Sequence, residues 1–201
     1  SACNRKILAE AYYLLGSTYY ENEESLDSVV SFYLKGRDIA KQINNIDLLS
    51  RLESGLASCY FDLELIDKAI EFYESAANSS IKGGNYELAA KAFGNAASAY
   101  GMKFDSKQEA SCLDSAITLL NRSNLCSRIS GYTKQLEYNY GTFSGVFMLM
   151  KKYELALQYC DSILLMKNIQ ESNKAIIYSR KSEINWDIGN YKEALVFADS
   201  T

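Results

Sequence analysis

Five cysteines are the side chains of this chain best able to act as nucleophiles or soft metal ligands, since a thiolate does both. They stand at positions 3, 59, 112, 126 and 160, separated by 56, 53, 14 and 34 residues, and none belongs to a Cys-x-x-Cys pair. Neither a zinc site nor a disulfide framework follows from an odd, irregular set. Histidine is absent altogether. That excludes from this chain every mechanism needing an imidazole, including Ser-His-Asp and Cys-His catalysis, and every histidine-containing metal site. Cys59, Cys112, Cys126 and Cys160 therefore read as small core residues, with Cys3 near the terminus.

Free thiols favour a reducing compartment such as the cytoplasm. Ser1-Ala2-Cys3 also matches the end of a bacterial lipoprotein signal, which keeps a periplasmic or lipid-anchored location as the alternative. The first two residues read equally well as an addition ahead of the native chain. Other reactive groupings are weaker. Gly83-Gly84 lacks the Lys-Ser/Thr that a phosphate-binding loop requires, and the triplets Asn78-Ser79-Ser80 and Asn121-Arg122-Ser123 match a glycosylation pattern common by chance. The acidic pair Glu23-Glu24 falls in an expected turn, where a solvated cap is the plainer reading. No catalytic residue, metal or cofactor is expected, and the chain reads as no enzyme.

Charge narrows the partners. With 21 basic and 25 acidic residues the net charge is −4, and the lysines and arginines are scattered. Nucleic acid needs a concentrated basic face and is not expected. The longest apolar run, Val146 to Met150, is far short of the ~20 residues that span a bilayer.

Whatever binding residues exist must be positioned by helices. Among 201 residues there is no proline, the residue that most reliably breaks a helix. Similar stretches begin at Val29, Ala69, Ala110, Ala156 and Ala194, at spacings of 40, 41, 46 and 38. A second set lies about a dozen residues ahead of four of these: Leu15-Gly16-Ser17-Thr18-Tyr19, Leu56-Ala57-Ser58-Cys59-Tyr60, Ala96-Ala97-Ser98-Ala99-Tyr100 and Phe143-Ser144-Gly145-Val146-Phe147. A small residue beside large ones on one helical face admits a neighbouring helix closely. Two helices per unit make a hairpin, and five hairpins need ten helices. The pattern places them at 6–21, 25–43, 46–62, 66–80, 86–103, 107–121, 127–150, 153–167, 171–187 and 191–200. Ser106-Lys107-Gln108-Glu109 and Asn190-Tyr191-Lys192-Glu193 read as capping boxes, and Gly83-Gly84-Asn85 and Gly189-Asn190 as stops followed by new caps.

These units resemble tetratricopeptide repeats. The resemblance covers nearly the whole chain and is strongest in Leu15-Gly16…Tyr19, in Leu56-Ala57…Tyr60…Ala69…Tyr73…Ala76 and in Ile188-Gly189-Asn190-Tyr191-Lys192-Glu193-Ala194-Leu195. The usual period is 34, however, and the closing proline is missing. Longer proline-free repeats are more similar to those of bacterial peptide-sensing regulators and vesicle-fusion adaptors. Ala9-Glu10-Ala11-Tyr12-Tyr13-Leu14-Leu15-Gly16 is similar in texture to repeat regions joined to bacterial signalling or transcription modules.

The resemblance implies an all-α, right-handed α-solenoid of about five hairpins forming one domain over residues 1–201. Its concave face would be lined by the first helix of each pair. The family pattern assigns to that face Glu10, Tyr13, Ser17 and Tyr20, then Arg51, Ser54, Ser58 and Phe61, then Lys91, Gly94, Asn95 and Ser98. Tyr138, Gly141, Thr142, Gly145 and Met148 follow in the fourth unit, and Ser179, Arg180, Glu183 and Trp186 in the fifth. Hydroxyls, amides and aromatics suit an extended peptide or a partner helix. The plainer reading of the same residues is helix packing. The clamp that grips chaperone C-terminal carboxylates is incomplete: Lys91 and Asn95 fit its third-repeat positions, but Tyr13 and Ser17 occupy those of the first.

The implied function is a non-catalytic protein- or peptide-binding scaffold, the repeat portion of a bacterial signalling or transcription-regulatory protein. The alternative is a ligand-sensing domain, or part of an enzyme whose catalytic module lies elsewhere. Solenoid ends need polar caps. The segment 191–201 has Ala194, Leu195, Phe197 and Ala198 with nothing to cover them. The expectation is a piece of a longer protein, or a homodimer that stacks end to end.

Overall fold

The computed structural model describes residues 2–23, 25–167 and 169–200. Ser1 of the signal-like tripeptide, Glu24 of the acidic pair and Thr201 of the segment 191–201 lie outside the described residues. After α1 (Ala2–Glu21) come three helices of 17 residues, α2 (Leu26–Gln42), α3 (Ile46–Asp62) and α4 (Ile66–Lys82). A three-residue turn follows each, so α3, α4 and α5 begin 20 residues apart and a hairpin repeats every 40. The remaining helices are α5 (Tyr86–Lys107), α6 (Ala110–Ser130), α7 (Thr133–Leu149), α8 (Tyr153–Leu164), α9 (Glu171–Asp187) and α10 (Tyr191–Ala198). No strand occurs among the described residues, and none of their helices is long and apolar enough to cross a membrane.

The turns share one construction. Asn44, Glu64 and Gly84 each take the left-handed conformation, and the next residue bonds back over the helix end. Asn45 N–H donates to the Ala40 carbonyl at 2.9 Å, Leu65 to Tyr60 at 2.9 Å and Asn85 to Ser80 at 2.8 Å. This pattern satisfies carbonyls that the last turn leaves without partners. Gly84, at φ 76°, adopts the conformation without a Cβ penalty; Glu64, at φ 57°, does not escape it. Asn45 and Asn85 then cap the following helices through Leu48 N–H and Leu88 N–H.

Two compact units make up the chain, residues 1–132 and 133–201. In the first, each of α1 to α6 packs on its neighbour in sequence, and α3 also touches both α1 and α5. Tyr33 on α2 is buried between Gly16 and Gly55, where a Cβ would come within 2.5 and 2.7 Å of the ring. Ala9, Val29, Leu48, Leu52, Leu56 and Cys59 complete that core. A buried carboxylate, Glu53, is held among α2, α3 and α4 by Arg37 at 3.3 Å and by the Ser75 hydroxyl at 2.9 Å. In the second unit α7 packs on α8, α8 on α9 and α9 on α10. Cys59, Cys112, Cys126 and Cys160 are buried and Cys3 is exposed.

Helix placement departs from expectation between 103 and 133. The capping box expected at Ser106 does not form: α5 runs on to Lys107, Ser106 donates back to the Lys103 carbonyl, and left-handed Gln108 ends the helix. The break expected after Asn121 is absent too, because α6 continues to Ser130 and stops at left-handed Gly131. Ser123 lies inside the helix, fully buried, and donates to the Ala90 carbonyl of α5 at 2.6 Å. Arg122 lies 4.0 Å from the centre of the Phe93 ring. At 190–193 the helix starts where expected, but Asn190 makes no side-chain capping bond.

Candidate binding surface

Three first helices, α1, α3 and α5, adjoin in the first unit, and their sequences place one ion pair on each at matching register. Lys6 and Glu10 are 3.9 Å apart on α1, Asp47 and Arg51 2.9 Å on α3, and Glu87 and Lys91 2.7 Å on α5. The pairs recur at offsets of 41 and 40 residues, with polarity reversed on α1. Lys91 also lies over the Tyr132 ring at 4.6 Å, and its bond to Glu87 raises its pKa above the ordinary lysine value. Asp47, Glu87 and Tyr132 lie outside the set of site residues that the sequence pattern singles out. The 40-residue offset, applied to charge as well as to small residues, is the signal that finds the first two.

Several expected face residues are committed within the fold. Ser17 bonds the Tyr33 hydroxyl at 3.3 Å, and Ser58 bonds that of Tyr73 at 3.2 Å. The same register recurs in the second unit, where Ser144 meets Cys160 at 3.2 Å. This hydroxyl slot couples the two helices of a hairpin. Tyr13 packs on the core with its ring 6.3 Å from that of Tyr33. Tyr20 reaches across to donate to Asp62 at 2.6 Å, tying α1 to α3; burial first, and then this acidic partner, push its pKa above the usual tyrosine value. Ser54, Phe61, Asn95 and Ser98 are half-buried, Gly94 is buried, and Glu10 and Arg51 are exposed.

In the second unit Arg180 donates to the Gly141 carbonyl and Asn173 to Glu137, linking α9 to α7. Thr142 bonds back within its own helix, Gly145 and Met148 are half-buried, and Ser179 and Glu183 are exposed. Tyr138 is exposed, and Trp186 stands at the end of α9 against the edge of Tyr191, their ring centres 5.0 Å apart.

Solved structures share this fold. The chain matches BtubC (BKLC) from P. vanneervenii at a TM-score of 0.77 and 19% identity, over 97% of this chain and 78% of that one. It matches a putative kinesin light chain of Podosopora anserina with nearly identical TPR-like repeats at 0.74 and 12%, over 98% and 93%. The fold is a tetratricopeptide-like repeat solenoid. A single-substitution form of the same P. anserina protein gives 0.75 and 13%, over 97% and 92%. No family model and no curated protein matches the sequence.

Proposed function

We propose that the face formed by α1, α3 and α5 binds an extended peptide or a partner helix, and that the chain acts as a non-catalytic interaction scaffold. The register-matched ion pairs carry this reading. Arg51 and Asp47 are each about half exposed, and an exposed pair of this kind contributes only about 0.2–1 kcal/mol. Exchanging its partner for a ligand's charge therefore costs little. A peptide bearing both signs of charge meets both members of each pair, while Ser54 and Asn95 beside them offer groups for its main chain. Within this reading the role is in bacterial signalling or transcription regulation, supported by the resemblance of long, proline-free repeats to those regulators.

Selection of displayed peptides on the immobilised chain tests the site. Peptides so selected should bind the Arg51→Ala/Asn95→Ala variant at least ten times more weakly, with its melting temperature unchanged. Tyr13 is left out because its ring supports the core. Equal binding to parent and variant would place the interaction elsewhere.

A further inference from the structure

Helix α1 keeps an apolar side turned to solvent. Ile7, Leu8, Leu14, Leu15 and Tyr19 are 59%, 47%, 62%, 42% and 37% exposed, whereas Ala9 and Gly16 on the opposite side are buried. Seven residues separate Ile7 from Leu14 and Leu8 from Leu15, so the four form one stripe along the helix with Ala11 at its middle. A helix meeting only water would be polar on that side. A contiguous apolar stripe of this kind marks an interaction surface.

Two properties of α1 say what fits it. The stripe is symmetric about Ala11: Ile7 and Leu8 precede it by four and three residues, and Leu14 and Leu15 follow it by three and four. An antiparallel copy crossing at Ala11 therefore sets Ile7 beside Leu14 on one flank and Leu8 beside Leu15 on the other, each contact made twice, as an isologous interface requires. Charge is also polarised along the helix. Arg5 and Lys6 occupy its beginning, with Glu10 3.9 Å from Lys6, while Glu21 takes its last position and Glu23 the turn beyond, all exposed. An antiparallel copy brings the basic end of each helix toward the acidic end of the other. A parallel copy would bring like charges together. We propose that this chain forms a two-fold homodimer through the exposed face of α1, the two helices antiparallel and centred on Ala11. The small central residue lets the helix axes approach toward the lower end of the usual 8–10 Å.

The competing arrangement stacks the exposed Leu195 and Val196 of α10 on α1 of another copy. That contact is head-to-tail and does not close at two subunits by itself. Light scattering should give twice the chain mass of 22.6 kDa, with no further growth as concentration rises. Ile7→Glu/Leu14→Glu should halve that mass and leave the helical circular dichroism intact, since both side chains are exposed. With Cys3→Ser in place, Ala11→Cys should be joined to its symmetry mate by a short bis-maleimide, whereas Cys3 in the parent lies at opposite ends of the pair and should not. A monomer at the highest soluble concentration, open-ended growth, or linkage of Cys3 to Cys3 without linkage at position 11 would each overturn the proposal.

Discussion

Replacing Gly16 by alanine would set a methyl carbon 2.5 Å from Cε1 and 2.6 Å from Cδ1 of Tyr33. Carbon atoms pack at about 3.5–4.0 Å, so the ring must retreat by roughly 1 Å. It has little room to do so. On its other side the Cβ position of Gly55 lies 2.7 Å from Cε2 and Cζ, so the backbone of α3 already presses on the ring, and Ser17 holds the hydroxyl at 3.3 Å. Overpacking of this kind costs about 1–3 kcal/mol. Alanine in a helix interior recovers about 1 kcal/mol relative to glycine. The expected net effect of Gly16→Ala is a loss of about 1 kcal/mol, or a melting temperature lower by about 2–4 °C for a chain of this size. Gly16→Ala/Gly55→Ala should lose more than the sum of its parts, because each methyl closes the other's escape. Gly101→Ala is the control: a Cβ there meets nothing within 4 Å, so the helix-propensity gain of up to about 1 kcal/mol should appear undiminished. Urea unfolding of these variants checks the argument. Equal shifts in the same direction for Gly16→Ala and Gly101→Ala would refute it.

Three further outcomes are expected. Glu64→Gly relieves a left-handed non-glycine residue and should stabilise the chain by about 1 kcal/mol, with Gly84→Ala moving the urea midpoint the other way. Ala69→Asp and Ala156→Asp place a carboxylate at fully buried positions and should each cost on the order of 3–5 kcal/mol, read by the same titration. The folded-state pKa of Tyr20 lies above its ordinary value of 10.0, so the stability it contributes is complete below that pH and lost as pH rises through the folded value. Tyr20→Phe should therefore flatten the alkaline limb of a melting-temperature profile, and an unchanged limb would remove Tyr20 from the account.

Where each turn repeats a short signal, the sequence reads true. Gly83-Gly84-Asn85 and Gly189-Asn190 mark helix ends because glycine supplies the left-handed residue that the turn demands, and the 40-residue period is two 17-residue helices with their turns. Between 103 and 133 the local signal misleads. Ser106 and Glu109 have capping spacing, yet Ser106 is drawn into α5; residues 122–126 look like a loop, yet Ser123 is spent on a carbonyl of the neighbouring helix. Polar side chains that compete with the backbone in isolation are reassigned by tertiary packing, which no window of sequence contains. The proposed face is legible in the same partial way. Its helices follow from the period, but Ser17 and Ser58 also fit the hydroxyl slot that binds the two helices of a hairpin.

That slot, the left-handed turns and the bonds between successive hairpins all operate over short stretches of chain. Tyr20 and Asp62 are 42 residues apart, Arg122 and Asn78 44, and Asn173 and Glu137 36. Closing a loop of about 40 residues costs nearly the same wherever it occurs, because the entropy grows only logarithmically with length. Within each unit, no contact between distant ends has to be found before the first hairpin can be rewarded. Folding can start at any hairpin and spread to the next, quickly for a chain of this length, since local topology sets the rate. By the same logic a defect at one turn frays its own hairpin and the adjoining one, while helices farther along the stack keep their protection.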